Sequence, residues 1–268
     1  MSKELLVVKY GSSCVAGPDG IDQGRIDEYA GRLAEVSEAY RVVVVSSGSI
    51  AVGTAMWEQG EAEAMDFLGD DYGTAEFPND QVLASLGSAP AVTAWQQALR
   101  RCRADDGRLI RAGQIQVTHH EIRDKKEGLM LLDTMQDCLD SNVVSIVNEN
   151  DALSDVEIKK LRYGGDNDGL ARHVAAIMGA NRLCLLTAEE EGLIDEKGNV
   201  IDIVKPRDVP RAMKLAGEAG KRGKGGMRSK VQATVAAAAS GIRAHIANPQ
   251  WPIMEILDRQ HGTYFPPH

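Results

Sequence analysis

The sequence predicts an α/β fold, a layered arrangement in which parallel strands alternate with helices. Three observations predict it: short, β-branched apolar runs recur along the chain, stretches with helical spacing lie between them, and polar or glycine-rich segments stand directly after the runs. Such runs are too short for helices and too uniformly apolar for strands with one wet face, so they read as strands buried on both faces.

The first run is LLVV at 5–8, and residues 23–38 follow with helical spacing. VVVV at 42–45 is the second strand, and 81–102 is a long helix. The third strand, VVSIV at 143–147, comes after a helix over 127–139, and the fourth, LCLL at 183–186, after a helix over 169–178. IRAHI at 242–246, interrupted by Arg243 and His245, follows the Ala-rich helix 227–239. Strands spaced by helices of this length require right-handed crossovers. The segment 59–79 is acidic, carries four glycines or prolines and has no clear period, which predicts a mobile loop inside the domain. Residues 205–224 predict a helix followed by a flexible turn over a ligand, and 249–268, with four of the nine prolines, a surface tail. The whole of 1–268 reads as one domain without internal repeats.

Charge and composition narrow the function. With 30 Lys and Arg against 39 Asp and Glu the net charge is −9, which disfavours nucleic acid and anionic membrane as bulk partners and makes any phosphate site local. No apolar stretch approaches the roughly 18–20 residues of a spanning helix; the Ala-rich one is broken by Gln232, Thr234, Ser240 and Gly241. The N-terminus carries only four apolar residues and no cleavage site, so it reads as the first strand of a cytoplasmic protein. Cys14, Cys102, Cys138 and Cys184 form no C-x-x-C pair and are expected to be reduced thiols. His119 and His120 read as a solvated loop pair rather than a metal site.

The segments after the strands carry the chemistry, because the carboxyl ends of a parallel sheet form a ligand crevice. Lys9-Tyr10-Gly11-Ser12-Ser13 follows the first strand and Ser46-Ser47-Gly48-Ser49 the second, the latter entering a helix whose N-terminus favours an anion. Asn148-Glu149-Asn150-Asp151 follows the third, and Gly164-Gly165-Asp166-Asn167-Asp168-Gly169 opens the next helix. Each of these last two is as readily a turn or cap as a site. Together they offer amides for a substrate and carboxylates to bind an ammonium or orient a lysine; a dinuclear metal site from Asp151, Asp166 and Asp168 is the lesser alternative. Finally Gly223-Lys224-Gly225-Gly226-Met227-Arg228-Ser229-Lys230 is a glycine turn entering a helix, suited to a polyphosphate. It fits no register of G-x-x-x-x-G-K-S/T, and G-x-G-x-x-G is missing after the first strand, which lowers the case for a dinucleotide oxidoreductase.

Taken in order, VVKYGSS, VVSSGSIAVG, QVLASLG, SIVNENDALSDVEI, GGDNDGLARHVA, LLTAEEEGLI and GKGGMRSKVQA resemble the amino acid kinase family, over residue 5 to about 247. The resemblance is strongest to members that phosphorylate glutamate. It implies a three-layer αβα sandwich around a mainly parallel sheet, and transfer of the γ-phosphoryl of MgATP to the side-chain carboxylate of L-glutamate, the first step of proline biosynthesis. By the same resemblance Lys9 and Lys230 flank the transferring group and Asp168 orients them, while Ser47, Asn148, Asp151 and Asn167 hold glutamate. Lys9, Thr187, Ala188, Lys224, Gly225, Gly226, Met227, Arg228, Ser229 and Lys230 contact the nucleotide. Mg²⁺ travels on the oxygens of ATP, with no dedicated metal site in the protein. A homo-oligomer is implied, and proline, which shares glutamate's α-amino and carboxylate groups, is a candidate feedback inhibitor.

The chain departs from the family at three places: Ala188 stands where Asp is usual, Lys224 replaces a Thr, and the stretch 158–165 is longer. About 20 residues follow Ala247, so the family's C-terminal PUA module of roughly 80–100 residues is expected to be absent. The alternatives are a family kinase with another carboxylate, carbamate or phosphate acceptor, and a non-catalytic metabolite-binding regulator. A phosphate acceptor would require cations where Asn148, Asp151 and Asn167 stand, and retention of Lys9 and Lys230 speaks against a silent protein.

Overall fold

Each apolar run becomes a strand paired on both sides, so its backbone is satisfied by neighbours and both its faces are free to be buried. The computed structural model describes residues 3–68, 76–104, 107–118, 121, 124–153, 167–218 and 226–268. In chain order the elements are β1 (Glu4–Tyr10), α1 (Ser12–Val15), β2 (Ala16–Gly17), β3 (Gly20–Ile21), α2 (Gln23–Val36), β4 (Tyr40–Ser46), α3 (Ser49–Leu68) and α4 (Asp80–Arg101). There follow β5 (Arg111–Val117), α5 (Lys125–Asp140), β6 (Val143–Glu149), α6 (Asn167–Ile177), β7 (Arg182–Leu186), α7 (Val209–Glu218), α8 (Gly226–Ala239), β8 (Arg243–Ala247), α9 (Ile253–Leu257) and β9 (Thr263–Phe265).

Seven strands form one sheet in the order β5-β6-β4-β1-β7-β8-β9, parallel throughout except for β9, which runs antiparallel to β8. Side chains alternate across a strand with period two, and the two faces feed separate cores. Leu5, Val7, Val43, Val45, Leu183 and Leu185 pack beneath α5, α6, α7 and α8, whereas Leu6, Val8, Val42, Val44, Cys184 and Leu186 pack beneath α2, α4 and α9. The result is the expected three-layer sandwich. The parallel strands end along one edge, which puts Lys9, Ser46, Asn148 and Leu186 side by side.

Three expectations need correction. Residues 59–68 are not a loop: α3 runs unbroken to Leu68, and the remainder up to residue 75 lies outside the described residues. At its N-terminal end α3 packs closely on α4: a Cβ on Gly53 would stand 1.8 Å from the Leu83 carbonyl oxygen and one on Gly87 2.0 Å from that of Ser49, so glycine at both positions lets the two helices touch backbone to backbone. The strand β5 has no apolar run to predict it, because it is an edge strand with a mostly polar, half-exposed face. The segment 249–268 is no surface tail: Ile253, Ile256, Leu257 and Phe265 are buried, and β9 completes the sheet. The prolines end the chain's local regularity without preventing antiparallel pairing further on.

His245 on β8 is 1% exposed, and neither ring nitrogen has a hydrogen-bond partner. Its ring lies 4.9 Å from that of Tyr264. Burial, with Arg182, Arg259 and Arg243 nearby, pushes its pKa from 6.5 down to about 3. The folded state therefore holds His245 neutral while the unfolded chain takes up the proton below about 6.5, so stability falls as pH drops from 6.5 toward 3. Between pH 7 and pH 5 wild type is expected to lose about 2 kcal/mol more than His245→Leu in urea unfolding, and parallel losses would refute this.

Candidate active site

The end of β1 and the first residues of α8 converge on one carboxylate at the start of α6. Lys9 Nζ lies 2.7 Å from Asp168 Oδ1 and Lys230 Nζ 3.2 Å from Oδ2, which also accepts a hydrogen bond from Ser229 Oγ at 2.6 Å. The three charged residues are 4%, 1% and 7% exposed in the order Lys9, Asp168, Lys230. Burial alone would raise the Asp168 carboxyl, but the two ammonium groups and the hydrogen bonds from Lys9 and Ser229 outweigh it and hold the pKa below the usual carboxylate range. Two cations on one anion leave a formal excess of one positive charge in a dry setting. Such an arrangement is satisfied when an anion enters.

The local reasons for this convergence are legible. β1 must end where its apolar run ends, and Lys9 is its penultimate residue. Gly48 has φ +114° and sits against Val15, so only glycine turns the chain there from β4 into α3. Asp168 and Ser229–Lys230 lie in the first turns of α6 and α8, whose N-termini favour negative charge.

Beside this cluster stand two matched serine–asparagine pairs. Asn167 Nδ2 donates to Ser47 Oγ at 2.6 Å, and Asn148 Nδ2 donates to Ser49 Oγ at 2.7 Å. In both asparagines Oδ1 is buried and has no hydrogen-bond partner among the described residues, so two carbonyl oxygens are left unsatisfied beside the cluster. Ser47 is in turn fixed from behind: its N–H donates to the Tyr10 carbonyl at 3.0 Å, and Trp95 Nε1 donates to Ser46 Oγ at 3.0 Å. Ser49 and Trp95 were missed as site-forming residues. Ser49 could have been found from its place in the SSGS turn, whereas Trp95 arrives from α4 with no sequence signal at all.

Asp151 lies half-buried in the turn after β6, three positions beyond Asn148 in the chain. Thr187 is buried, its N–H bonded to the Ala247 carbonyl at 3.0 Å, and the carbonyl of half-buried Ala188 accepts from Asn248 Nδ2 at 3.4 Å. Gly226 is tied to the cluster, its carbonyl 3.4 Å from Lys230 Nζ. Met227 packs into the core under α8, and exposed Arg228 lies along α7 against Gly217, so these side chains are not brought to Asp168. Lys224, Gly225, Asp166, His119 and His120 lie outside the described residues. Both oxygens of Asp168 are taken by Lys9, Lys230 and Ser229, and among the described residues no three His, Cys, Asp or Glu gather at metal-binding range. Also among the described residues, no helix is long and apolar enough to cross a membrane.

Comparison with known proteins adds a family. The model described as "Amino acid kinase family" matches residues 4–248. A glutamate 5-kinase of Acinetobacter baumannii is 31% identical over 250 residues, covering 91% of this chain and 60% of the relative. A glutamate 5-kinase of Haemophilus influenzae is 30% identical over 280 residues, covering 100% of this chain and 70% of the relative. The chain thus spans about 60–70% of the length of these curated relatives. Among solved structures, carbamate kinase from Giardia lamblia bound to AMP-PNP superposes with a TM-score of 0.70 at 15% identity, covering 100% of this chain and 99% of that one. UMP kinase from Ureaplasma parvum gives 0.57 at 14% identity, covering 99% and 97%. At such identities the likeness is one of fold.

Proposed function

The chain belongs to the amino acid kinase family, and on that premise we propose that it transfers the γ-phosphoryl group of MgATP to the side-chain carboxylate of L-glutamate, forming glutamyl 5-phosphate. The observation that carries the proposal is the buried Lys9–Asp168–Lys230 array beside the unpaired carbonyl oxygens of Asn148 and Asn167.

A carboxylate is already a nucleophile, so no general base has to be found. One oxygen of glutamate's side chain attacks the γ-phosphorus in line, the bond to the β,γ-bridging oxygen breaks, and ADP departs with that oxygen's charge. Catalysis then reduces to alignment and to neutralising charge on the transferring group. Lys9 and Lys230 supply two preorganised ammonium groups, and Asp168 keeps them converged. The Asn148 and Asn167 oxygens suit the donor hydrogens of an α-ammonium group, and Asp151 adds a carboxylate for the same group. Thr187, Ala188 and the Gly226–Lys230 turn take the nucleotide, together with Lys224 and Gly225. Mg²⁺ enters on the phosphate oxygens as part of the substrate.

The same reading makes this the first step of proline synthesis, carried out in the cytoplasm by a homo-oligomer, with proline competing for the glutamate subsite. The experiment is an ADP-release assay over amino acids, carbamate and nucleoside monophosphates. Glutamate should exceed the others well, and equal turnover with aspartate or UMP would sink the assignment. Asp151→Ala should raise the KM for glutamate by about tenfold or more while kcat stays near wild type, as expected when a contact made equally in ground and transition states is lost. An unchanged KM would reduce Asp151 to a turn residue.

A further inference from the structure

The segment 249–268 does more than complete the sheet, because it grips the loop that follows β7. Within that loop Glu189 and Glu190 are exposed but Glu191 turns inward and is half-buried. Both of its oxygens are used: Oε1 accepts from Gln250 Nε2 at 2.5 Å and Oε2 from Trp251 Nε1 at 2.7 Å. The indole is held in its turn, stacked on the His261 ring at 3.7 Å and 3°, with His261 Nε2 3.1 Å from Glu255 Oε2. Backbone ties lie on either side. The Ala188 carbonyl accepts from Asn248, the Leu193 N–H donates to Thr263 Oγ1 at 2.8 Å, and a Cβ on Gly192 would come within 2.8 Å of that same oxygen.

We infer that Glu191 and Trp251 are positioning residues for the nucleotide, holding the loop 187–193 in the shape that presents Thr187 and Ala188; this rests on the proposed placement of the nucleotide there. The physical reason is charge. A polyanion must approach a loop that carries three consecutive carboxylates, and the two N–H donors bind one of these carboxylates on the side of the 249–268 segment. A charge-assisted hydrogen bond of this kind is geometrically specific as well as strong. Once Trp251 no longer donates, only exposed Gln250 still holds the carboxylate, and the side-chain anchor of the loop between the ties at residues 188 and 193 is weakened.

The test compares wild type, Trp251→Phe, which keeps an aromatic ring on His261, Glu191→Gln, and the double variant. Read-outs are KM for ATP, KM for glutamate, kcat, ADP affinity by calorimetry and Tm. The KM for ATP and the Kd for ADP should rise about tenfold in Trp251→Phe, where the released carboxylate keeps its charge, the scale of one lost hydrogen bond to a charged group. Both should rise less in Glu191→Gln, which loses the charge and keeps an acceptor oxygen. The KM for glutamate and kcat should stay within about twofold of wild type. The double variant should be no worse than Trp251→Phe, since the side chain then released at 191 carries no charge. A lowered Tm with unchanged ADP affinity, or equal rises in both KM values, would overturn the inference. If Trp251→Phe does not fold, Gln250→Ala at an exposed position removes the other donor, and an unaltered Kd for ADP there overturns it as well. Wild type that fails to bind ADP refutes the nucleotide placement and the inference with it. Wild type that binds ADP without turning over glutamate refutes only the acceptor, and the ADP affinities of the variants still decide the positioning role.

Discussion

Lys230→Met is expected to lower kcat by about 10²–10³, or roughly 3–4 kcal/mol of transition-state stabilisation, with a much smaller change in the KM for ATP. The substitution keeps the length and apolar stem of a side chain that is buried in the first turn of α8, so it deletes the charge without emptying the space. That charge stands 3.2 Å from Asp168 Oδ2 on the helix end where phosphate oxygens are expected. Negative charge on those oxygens is redistributed as the phosphoryl group transfers, so the ammonium contributes more to the transition state than to ground-state binding. Steady-state kinetics of the variant against Lys224→Met gives the check. Lys224 stands where the resemblance leads one to expect Thr, and its loss should cost at most about tenfold, near 1.4 kcal/mol. A larger kcat loss for Lys224→Met would mean that the catalytic lysine has been misplaced.

Asp168→Asn carries the second large effect, on stability as well as rate. The change is nearly isosteric but leaves Lys9 and Lys230 buried without their shared anion. Removing one partner of a buried charge cluster costs about 3–5 kcal/mol, and here two like charges are left facing each other. Chemical denaturation should show this loss, and kcat should fall by at least about 10² because the ammonium groups no longer converge. Because the phosphates of MgATP can supply the missing negative charge, saturating nucleotide should stabilise the variant more than it stabilises wild type. A variant as stable as wild type without nucleotide would show that the lysines are held by something other than Asp168. The depressed Asp168 pKa has a definite sign as well: the cluster's contribution is present above the ordinary carboxylate range and is lost as pH falls through the folded value.

Most of the chemistry was legible because it sits on short local patterns. Asp168 and Lys230 lie 62 residues apart and Lys9 lies farther still, yet each stands at a strand end or near the start of a helix in a polar or glycine-rich segment. The parallel sheet was equally legible, since strands buried on both faces need uninterrupted apolar runs and Leu6, Val44 and Leu185 belong to such runs. Met227 and Arg228 mark the limit of a contiguous motif: membership of the glycine turn says nothing about which of its side chains face the ligand, and the helical twist of α8 sends these two elsewhere.

By itself the sequence determined the layered α/β architecture and the strand ends that carry the polar groups, and through its family resemblance it named Lys9, Lys230 and Asp168 as one cluster, which the structure brings together. The tertiary structure alone decided that α3 continues to Leu68, that Trp95 braces Ser46, that Ser49 orients Asn148, and that residues 249–268 return to close the sheet and hold Glu191. Apart from the length of α3, these features have a common physical cause. Each depends on a partner distant in the chain: an indole 49 residues away, an amide 99 residues away, or a strand edge left open by β8. Periodicity and turn chemistry report on neighbours in sequence, whereas those partners become neighbours only when the sheet assembles.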